Sequence, residues 1–329
     1  MSPGQPTVHP HSIDSDTRWL PRAYAGPHDL SRMQELQREG WRSLGPGGDS
    51  LPGDLEWWMS GISDPGTDMS ERIAMWETPR GELRGWSWIR GDTMEWYVHP
   101  QETGSSLRQA QLDWYEDLAM AALRRPGEPL VLSTWSNTQQ PELGRQLIRA
   151  GYELSIEQLN HYAIDLRRRQ PGNSSVPDGY RIGAVQGATD IPRRVAVHRS
   201  AFEPSRMTVE RYAQVMQAPS YRPELDVVAV ADDGTIAAFC LAWYDVDLRV
   251  GLLEPVGTDQ GHRRRGLAAA VCAEALRRLE QLAAERASVL SEADNEGANR
   301  LYQSLGFREA MRSMRWRRTV AYADDGAAA

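Results

Sequence analysis

The stretch Val256-Gly257-Thr258-Asp259-Gln260-Gly261-His262-Arg263-Arg264-Arg265-Gly266-Leu267-Ala268 gathers residue types that hold a phosphorylated ligand. An apolar strand ends there, a polar loop follows, and a run of strong helix formers begins. The start of a helix leaves about four backbone N–H groups unpaired and carries the positive end of the helix dipole. Together these suit a pyrophosphate. Gly266 lets the backbone approach phosphates with no Cβ in the way, and Arg263, Arg264 and Arg265 add positive charge. An Arg-rich helix start without a ligand has the same composition, and that reading stays open. Just upstream, Glu254 interrupts an otherwise apolar strand of Val250, Leu252, Leu253 and Val256. A carboxylate in such a place needs a partner or a task.

A second pattern lies downstream. Asn295, Ala298, Leu301, Tyr302, Gly306 and Phe307 form Asn-x-x-Ala-x-x-Leu-Tyr-x-x-x-Gly-Phe, starting 29 residues after Gly266. Arg263, Gly266 and Ala268 form Arg-x-x-Gly-x-Ala. On these two motifs the region from Tyr180 to Val320 resembles the GNAT superfamily of N-acetyltransferases. The resemblance implies acetyl-CoA as co-substrate, no metal, and direct transfer of an acetyl group from the thioester to an amine. It implies a backbone N–H around Val256 as oxyanion donor and phosphate binding by Arg263, Arg264, Arg265, Gly266, Leu267 and Ala268. The three arginines also suit the 3′-phosphate of coenzyme A.

The same resemblance assigns Tyr302 to protonating the leaving thiolate, the alternative being packing under the next strand. Asn295 matches the position that bonds the pantetheine arm, and it is equally suited to capping the following helix. The family often carries a Glu where this chain has Leu252. Glu254 is two residues on, so on the same strand face, and is the candidate base, directly or through water. A salt bridge or an ammonium anchor is its other reading. Asp245 and Asp247 are lesser candidates that read as turn residues. The region from His198 to Tyr221, with Phe202, Arg206, Tyr212 and Tyr221, is where the acceptor pocket is expected. Arg206 fits either a substrate carboxylate or solvated surface.

The elements that must position these groups follow from periodicity. In the second half we expect a strand at 180–183, helices at 191–202 and 209–216, and strands at 226–231, 236–244 and 249–257. A helix over 266–287, a strand at 288–291, a helix at 296–305 and a strand at 311–320 complete it. Asp232-Asp233-Gly234 is a hairpin turn signal. The first half repeats the order: strand 22–24, helix 29–41, strands 73–77, 83–89 and 94–98, helix 107–123, strand 130–133, helix 142–150. Gly151-Tyr152 stands where Gly306-Phe307 stands. This points to a diverged internal duplication, an arrangement similar to that of the mycothiol synthases. The fold class expected is α/β, a mixed GNAT-like sheet in two tandem domains.

The boundaries expected are a disordered N-terminus over 1–20, a degenerate GNAT-like domain over 21–166, a linker over 167–178, the active domain over 179–321 and a disordered tail over 322–329. The linker is charged and then rich in Pro, Gly and Ser. The first half lacks the phosphate pattern after Val98, Glu102 would repel phosphate, and Leu147 occupies the place of Tyr302. Ten of the twelve Trp precede residue 140, which fits a core or an aromatic-lined pocket.

The chain has 329 residues, 40% hydrophobic and 25% charged, and a net charge of -8. Two domains are the first expectation at this length. The acidity disfavours nucleic acid and is compatible with a cationic substrate. Cys240 and Cys272 sit in apolar settings and read as buried thiols. With no apolar run near the ~20 residues needed to span a bilayer and a polar N-terminus, a cytoplasmic protein without membrane contact is expected. The acceptor expected is a small-molecule amine, and monomer and homodimer remain equally open. Two rival functions stand beside this one: an acyl-CoA sensor without turnover, and a protein N-acetyltransferase, which needs an open groove.

Overall fold

The computed structural model describes residues 19–45, 50–64, 66–102, 106–123, 129–169 and 176–320. Residues 1–18 of the N-terminus expected over 1–20, the whole tail expected over 322–329 and the middle of the linker, 170–175, lie outside the described residues. The first half runs β1 (Pro21–Ala23), α1 (Pro27–Leu44), α2 (Pro52–Trp57), β2 (Ile73–Glu77), β3 (Leu83–Arg90), β4 (Thr93–Val98), α3 (Ser106–Leu123), β5 (Leu130–Asn137), α4 (Pro141–Arg149) and β6 (Glu153–Asp165). The second half follows with β7 (Tyr180–Ala184), α5 (Ile191–Ala201), α6 (Val209–Val215), β8 (Asp226–Ala231), β9 (Ile236–Asp245), β10 (Val250–Thr258), α7 (Leu267–Gln281), β11 (Arg286–Glu292), α8 (Glu296–Ser304) and β12 (Arg308–Val320).

Local chemistry accounts for the boundaries. Pro occupies the first turn of α1, α2, α4 and α5, where its missing N–H costs nothing. The Thr208 side chain caps α6 by accepting from Arg211 N–H. The β8–β9 turn is closed by Asp233, whose carboxylate accepts from Thr235 N–H at 2.8 Å. Three departures from the expected elements stand out. Helix α7 stops at Gln281 rather than 287, because Ala283 turns left-handed (φ 63) and the chain enters β11 two residues early. The segment 52–62, to which the periodicity assigned no element, is helical and largely buried. The 13-residue β6 was not foreseen.

The twelve strands among the described residues form one mixed sheet in the order β1-β2-β3-β4-β5-β12-β6-β11-β10-β9-β8-β7. The two ends mirror each other, and the final strands are exchanged. β12 pairs with β5 of the first half, β6 pairs with β11 of the second, and β6 and β12 pair in the middle. The expected linker is also less loose than its composition implies: the Arg169 side chain is 5% exposed and pairs with Glu280 at 3.0 Å.

Two cores matter for the site. Beneath α7, Val271, Cys272, Ala275, Leu276 and Leu279 pack on Ala238, Cys240 and Leu253, with Tyr302 and Phe307 beside them. On the opposite face, Trp41, Leu51 and Trp57 of the first half join Ile191, Tyr212, Trp243, Val250 and Leu252 of the second in a single cluster. A core built from both halves ties their relative placement to burial of apolar surface.

Candidate functional site

Strands β10 and β11 run parallel only through Val250↔Arg286, Gly251↔Ala287 and Leu252↔Ser288. Beyond Leu252 they part. On its other side β10 shifts register against β9 between Leu253 and Val256. The chain at Glu254 therefore leaves regular pairing on both edges, and Val256, paired again with Cys240 of β9, is open on the β11 side, which frees backbone and side-chain groups to face a gap.

The Arg-rich loop follows the open end of β10. Arg263, Arg264, Arg265 and Gly266 are exposed and Leu267 is buried. Gly266 is the N-cap of α7 at φ 79, and no side chain caps the helix. The first backbone bond of that turn runs from Ala270 N–H to Gly266 O, so the preceding amides point outward without a protein acceptor from the helix. Arg264 also has positive φ (62). Left-handed residues in such a turn aim successive N–H groups at one point and form an anion-binding concavity. Arg265 reaches the Tyr180 hydroxyl at 3.0 Å and Arg263 the Ala201 carbonyl at 3.2 Å, both within exposed surface. A phosphate-bearing ligand fits this loop, which is open to solvent and rich in unassigned donors.

Tyr302 is 5% exposed, with its ring 6.1 Å from Tyr162 and 6.0 Å from Phe307. Burial holds its hydroxyl well above the usual tyrosine range, so it stays protonated, and Glu254 is close enough to add to that shift. Asn295 accepts from Ala298 N–H at 3.1 Å and so caps α8, one of its two expected uses. A better-connected group is Asn299, which takes bonds from Asn160, Tyr162 and Ser291 and donates to the carbonyls of Glu292 and Ala293. That network locks α8, and with it Tyr302, to β6 and β11.

Glu254 keeps some accessible surface, while dense surroundings push its carboxyl above the ordinary range. Its neighbour is Asp54 of α2, 3% exposed and hydrogen-bonded to it. Burial and then the Glu254 charge raise Asp54 well above a normal aspartic acid. Two carboxyls in contact in a desolvated place do not both ionise. The balance leaves the proton on Asp54, donating to an ionised Glu254. Asp54 also accepts from Leu51 N–H at 2.6 Å, and the Trp243 indole donates to the Glu254 carbonyl at 2.7 Å. Arg90, at the end of β3, is the cation that favours ionisation of both acids. Sequence reasoning missed Asp54 and Arg90. The only hint was an acidic residue in the aromatic run Asp54-Leu55-Glu56-Trp57-Trp58.

Around the α5–α6 connection, Arg206 pairs with Asp64 of the first half at 2.7 Å, and Arg211 contacts the same carboxylate. The Arg206 side chain is 76% exposed, so the solvated-surface reading holds for it, with an exposed bridge to the first half added. Asp245 pairs with Arg38 at 2.9 Å and accepts from Leu248 N–H, so it joins the halves as well as making a turn. His198 packs among Trp57, Phe202 and Phe239, and burial lowers its pKa to about 3. A cavity of about 250 Å³ opens near the start of β10, lined by Gln34, Glu56, Ser220, Arg222, Trp243 and Leu252 among others. Glu254 does not line it, but Leu252 stands on the same strand face roughly 7 Å away. Glu254, where the strands part, is the candidate centre of the site, and the cavity is adjoining space. Among the described residues no cluster of His, Cys, Asp and Glu is arranged to hold a metal, and no helix is long and apolar enough to cross a membrane.

Residues 195–307 match the acetyltransferase (GNAT) family. A mycothiol acetyltransferase of Kineococcus radiotolerans is 30% identical over 202 residues, which is 59% of this chain and 63% of that protein. A mycothiol acetyltransferase of Clavibacter michiganensis subsp. michiganensis is 28% identical over 237 residues, 70% of this chain and 74% of that one. The match thus spans just under two thirds of the first relative's length. Among solved structures, a GCN5-related N-acetyltransferase from Sphaerobacter thermophilus superposes with TM-score 0.68 at 21% identity, covering 93% of this chain and 96% of that one. A tandem GNAT protein from the clavulanic acid biosynthesis pathway gives TM-score 0.65 at 16% identity, covering 93% and 99%. At those identities the likeness is one of fold, and it extends over both halves.

Proposed function

The chain belongs to the GNAT acetyltransferase family, and from that premise we propose that it transfers the acetyl group of acetyl-CoA to the amine of a small molecule. One observation carries the reading: the Glu254 carboxyl and the buried Tyr302 hydroxyl lie by the gap where β10 and β11 part, next to an exposed, uncapped helix start. Acetyl-CoA supplies the activated acyl group, and the protein supplies position and proton handling. Arg263, Arg264 and Arg265, with the amides of Gly266, Leu267 and Ala268, hold the phosphates. Asn295 keeps its amide N–H₂ for the pantetheine arm while its oxygen caps α8. The backbone N–H at Val256 stabilises developing oxyanion charge. Glu254 accepts the proton an ammonium must lose, and Tyr302 donates toward the departing sulfur.

Helix α2 and Trp57 of the first half wall the acceptor side. That enclosure favours a small acceptor over a protein segment, which needs an open groove. The relatives named mycothiol acetyltransferase make a mycothiol-type amine the first acceptor to try. We further propose that the first half, over 21–166, is a GNAT-like unit without turnover, joined through 167–178 to the catalytic unit of 179–321.

The test is thiol release from acetyl-CoA with a panel of small amines. Parent protein should release thiol with at least one amine, and Tyr302→Phe should lower kcat about 10- to 100-fold with the acetyl-CoA KM little changed. Binding of acetyl-CoA without thiol release for any amine, in parent and variant alike, would establish the sensor reading instead.

A further inference from the structure

Arg90 ends β3 in the first half, and its guanidinium lies 4.5 Å above the ring of Trp58, which packs against the cluster that both halves share. Trp58 follows Asp54 by four residues, about one helical turn on, so the ring and the carboxyl share a face. Arg90 Nη1 is 3.5 Å from Glu95, a weak pairing, and its Nε is buried with no hydrogen-bond partner. A buried donor left unmade is costly, and native proteins keep such groups for a reason.

The charged surroundings are few. From α2 come Asp54 and Glu56, and Glu56 is committed to Gln34 and to Ser220. From β4 comes Glu95, from β10 Glu254, and from α8 the neutral Tyr302. Arg90 is thus the single cation acting on the Asp54–Glu254 pair among these groups.

We propose that Arg90 is a positioning residue of the acceptor cleft, set on Trp58 so that its guanidinium is the cation that faces the Asp54–Glu254 carboxyl pair. Only the kinetic arm of the test rests on the acetyl-transfer reading. In that reaction an ammonium N–H bond breaks, an O–H bond forms on Glu254, and the nitrogen keeps the electron pair it needs to attack. The proton then leaves to solvent. Without the cation, Glu254 would take its proton from solvent at a higher pH and be unable to accept one from the substrate.

The full chain is used with Arg90→Met, which keeps a long stem on Trp58, and Arg90→Lys, which keeps the charge. The first readout, thermal midpoint against pH from 5 to 8.5, needs no activity. Ionising the pair without a cation costs more, so the Arg90→Met loss should grow as pH rises. It should be small in Arg90→Lys and lose its pH dependence in a Glu254→Gln background. An Arg90→Met loss equal at all pH values means that Arg90 only packs on Trp58, and it overturns the proposal. In the second readout, the acid limb of kcat/KM should move up by about one pH unit, a tenfold loss along that limb. An unmoved limb with a lower plateau also overturns it. If parent protein acetylates no amine, the acetyl-transfer reading falls while the thermal series still decides the role of Arg90.

Discussion

In the first half β4 and β5 run parallel through Thr93↔Ser133 and Met94↔Thr134 and then separate, as β10 and β11 separate after Leu252↔Ser288. Two residues beyond the last parallel pair stands Trp96 in one half and Glu254 in the other. The Trp96 indole crosses to β5 and donates to the Trp135 carbonyl at 3.0 Å, with the Arg108 guanidinium 5.5 Å from its ring. That opening is bridged and belongs to a core with Leu112, Tyr115 and Leu147. Past the strand, Glu102 is buried against Arg84 at 2.8 Å, where the second half has its Arg-rich loop. Glu102 is therefore engaged inside the protein, not standing out to repel phosphate as its position in the sequence implied. The parting of the strands is a property of the scaffold that both halves keep. Whether an indole or a carboxylate stands at its mouth separates a packed core from a candidate reaction site.

The sharpest way to break this comparison is Glu254→Gln. It keeps shape and removes the proton acceptor, so kcat/KM should fall about 100- to 1,000-fold with acetyl-CoA binding retained. A near-normal rate would make Glu254 as structural as Trp96. A smaller effect is expected from Gly266→Val. Left-handed φ at a residue bearing a Cβ costs roughly 1–2 kcal/mol, and acetyl-CoA should bind about tenfold more weakly by calorimetry. Parent protein should take up a single equivalent per chain in the same titration. Two equivalents would show that the Trp96-bridged half also binds the coenzyme.

The smallest effect concerns Asp54→Asn, whose amide can still accept from Leu51 N–H and donate to Glu254. Because folding raises the Asp54 pKa, the native acid is favourable while protonated and loses stability as pH rises through its folded value. The variant should match the parent only at about pH 4, where the acid is protonated folded and unfolded alike, and exceed it by a few degrees in thermal midpoint at alkaline pH. A pH-independent difference would mean that the two carboxyls do not share a proton.

The Arg263–Ala268 loop and the Tyr302 motif were legible because each is a local pattern, complete within a dozen residues. Most strands and helices were legible for the same reason. Asp54 was not. Its partner lies 200 positions away, and nothing near it in sequence announces the contact. β6 was missed because Leu154 and Ile156 are 54% and 96% exposed, so its apolar pattern does not track burial. The overrun of α7 has a different cause. Apolar and small residues continue through Ala287, and the left-handed turn at Ala283 is made without the glycine that usually marks one.

The exchange of last strands bears on how the molecule is made. A ribosome delivers β5 and β6 long before the segment that must lie between them, since 308–320 follows them only after β7 to β11 and α5 to α8 have been made. Until then the leading half carries unsatisfied strand edges, which invite pairing with other nascent chains. Premature release of a truncated polypeptide would thus leave both halves wanting, and the half made first would wait for the body of the second before it could close.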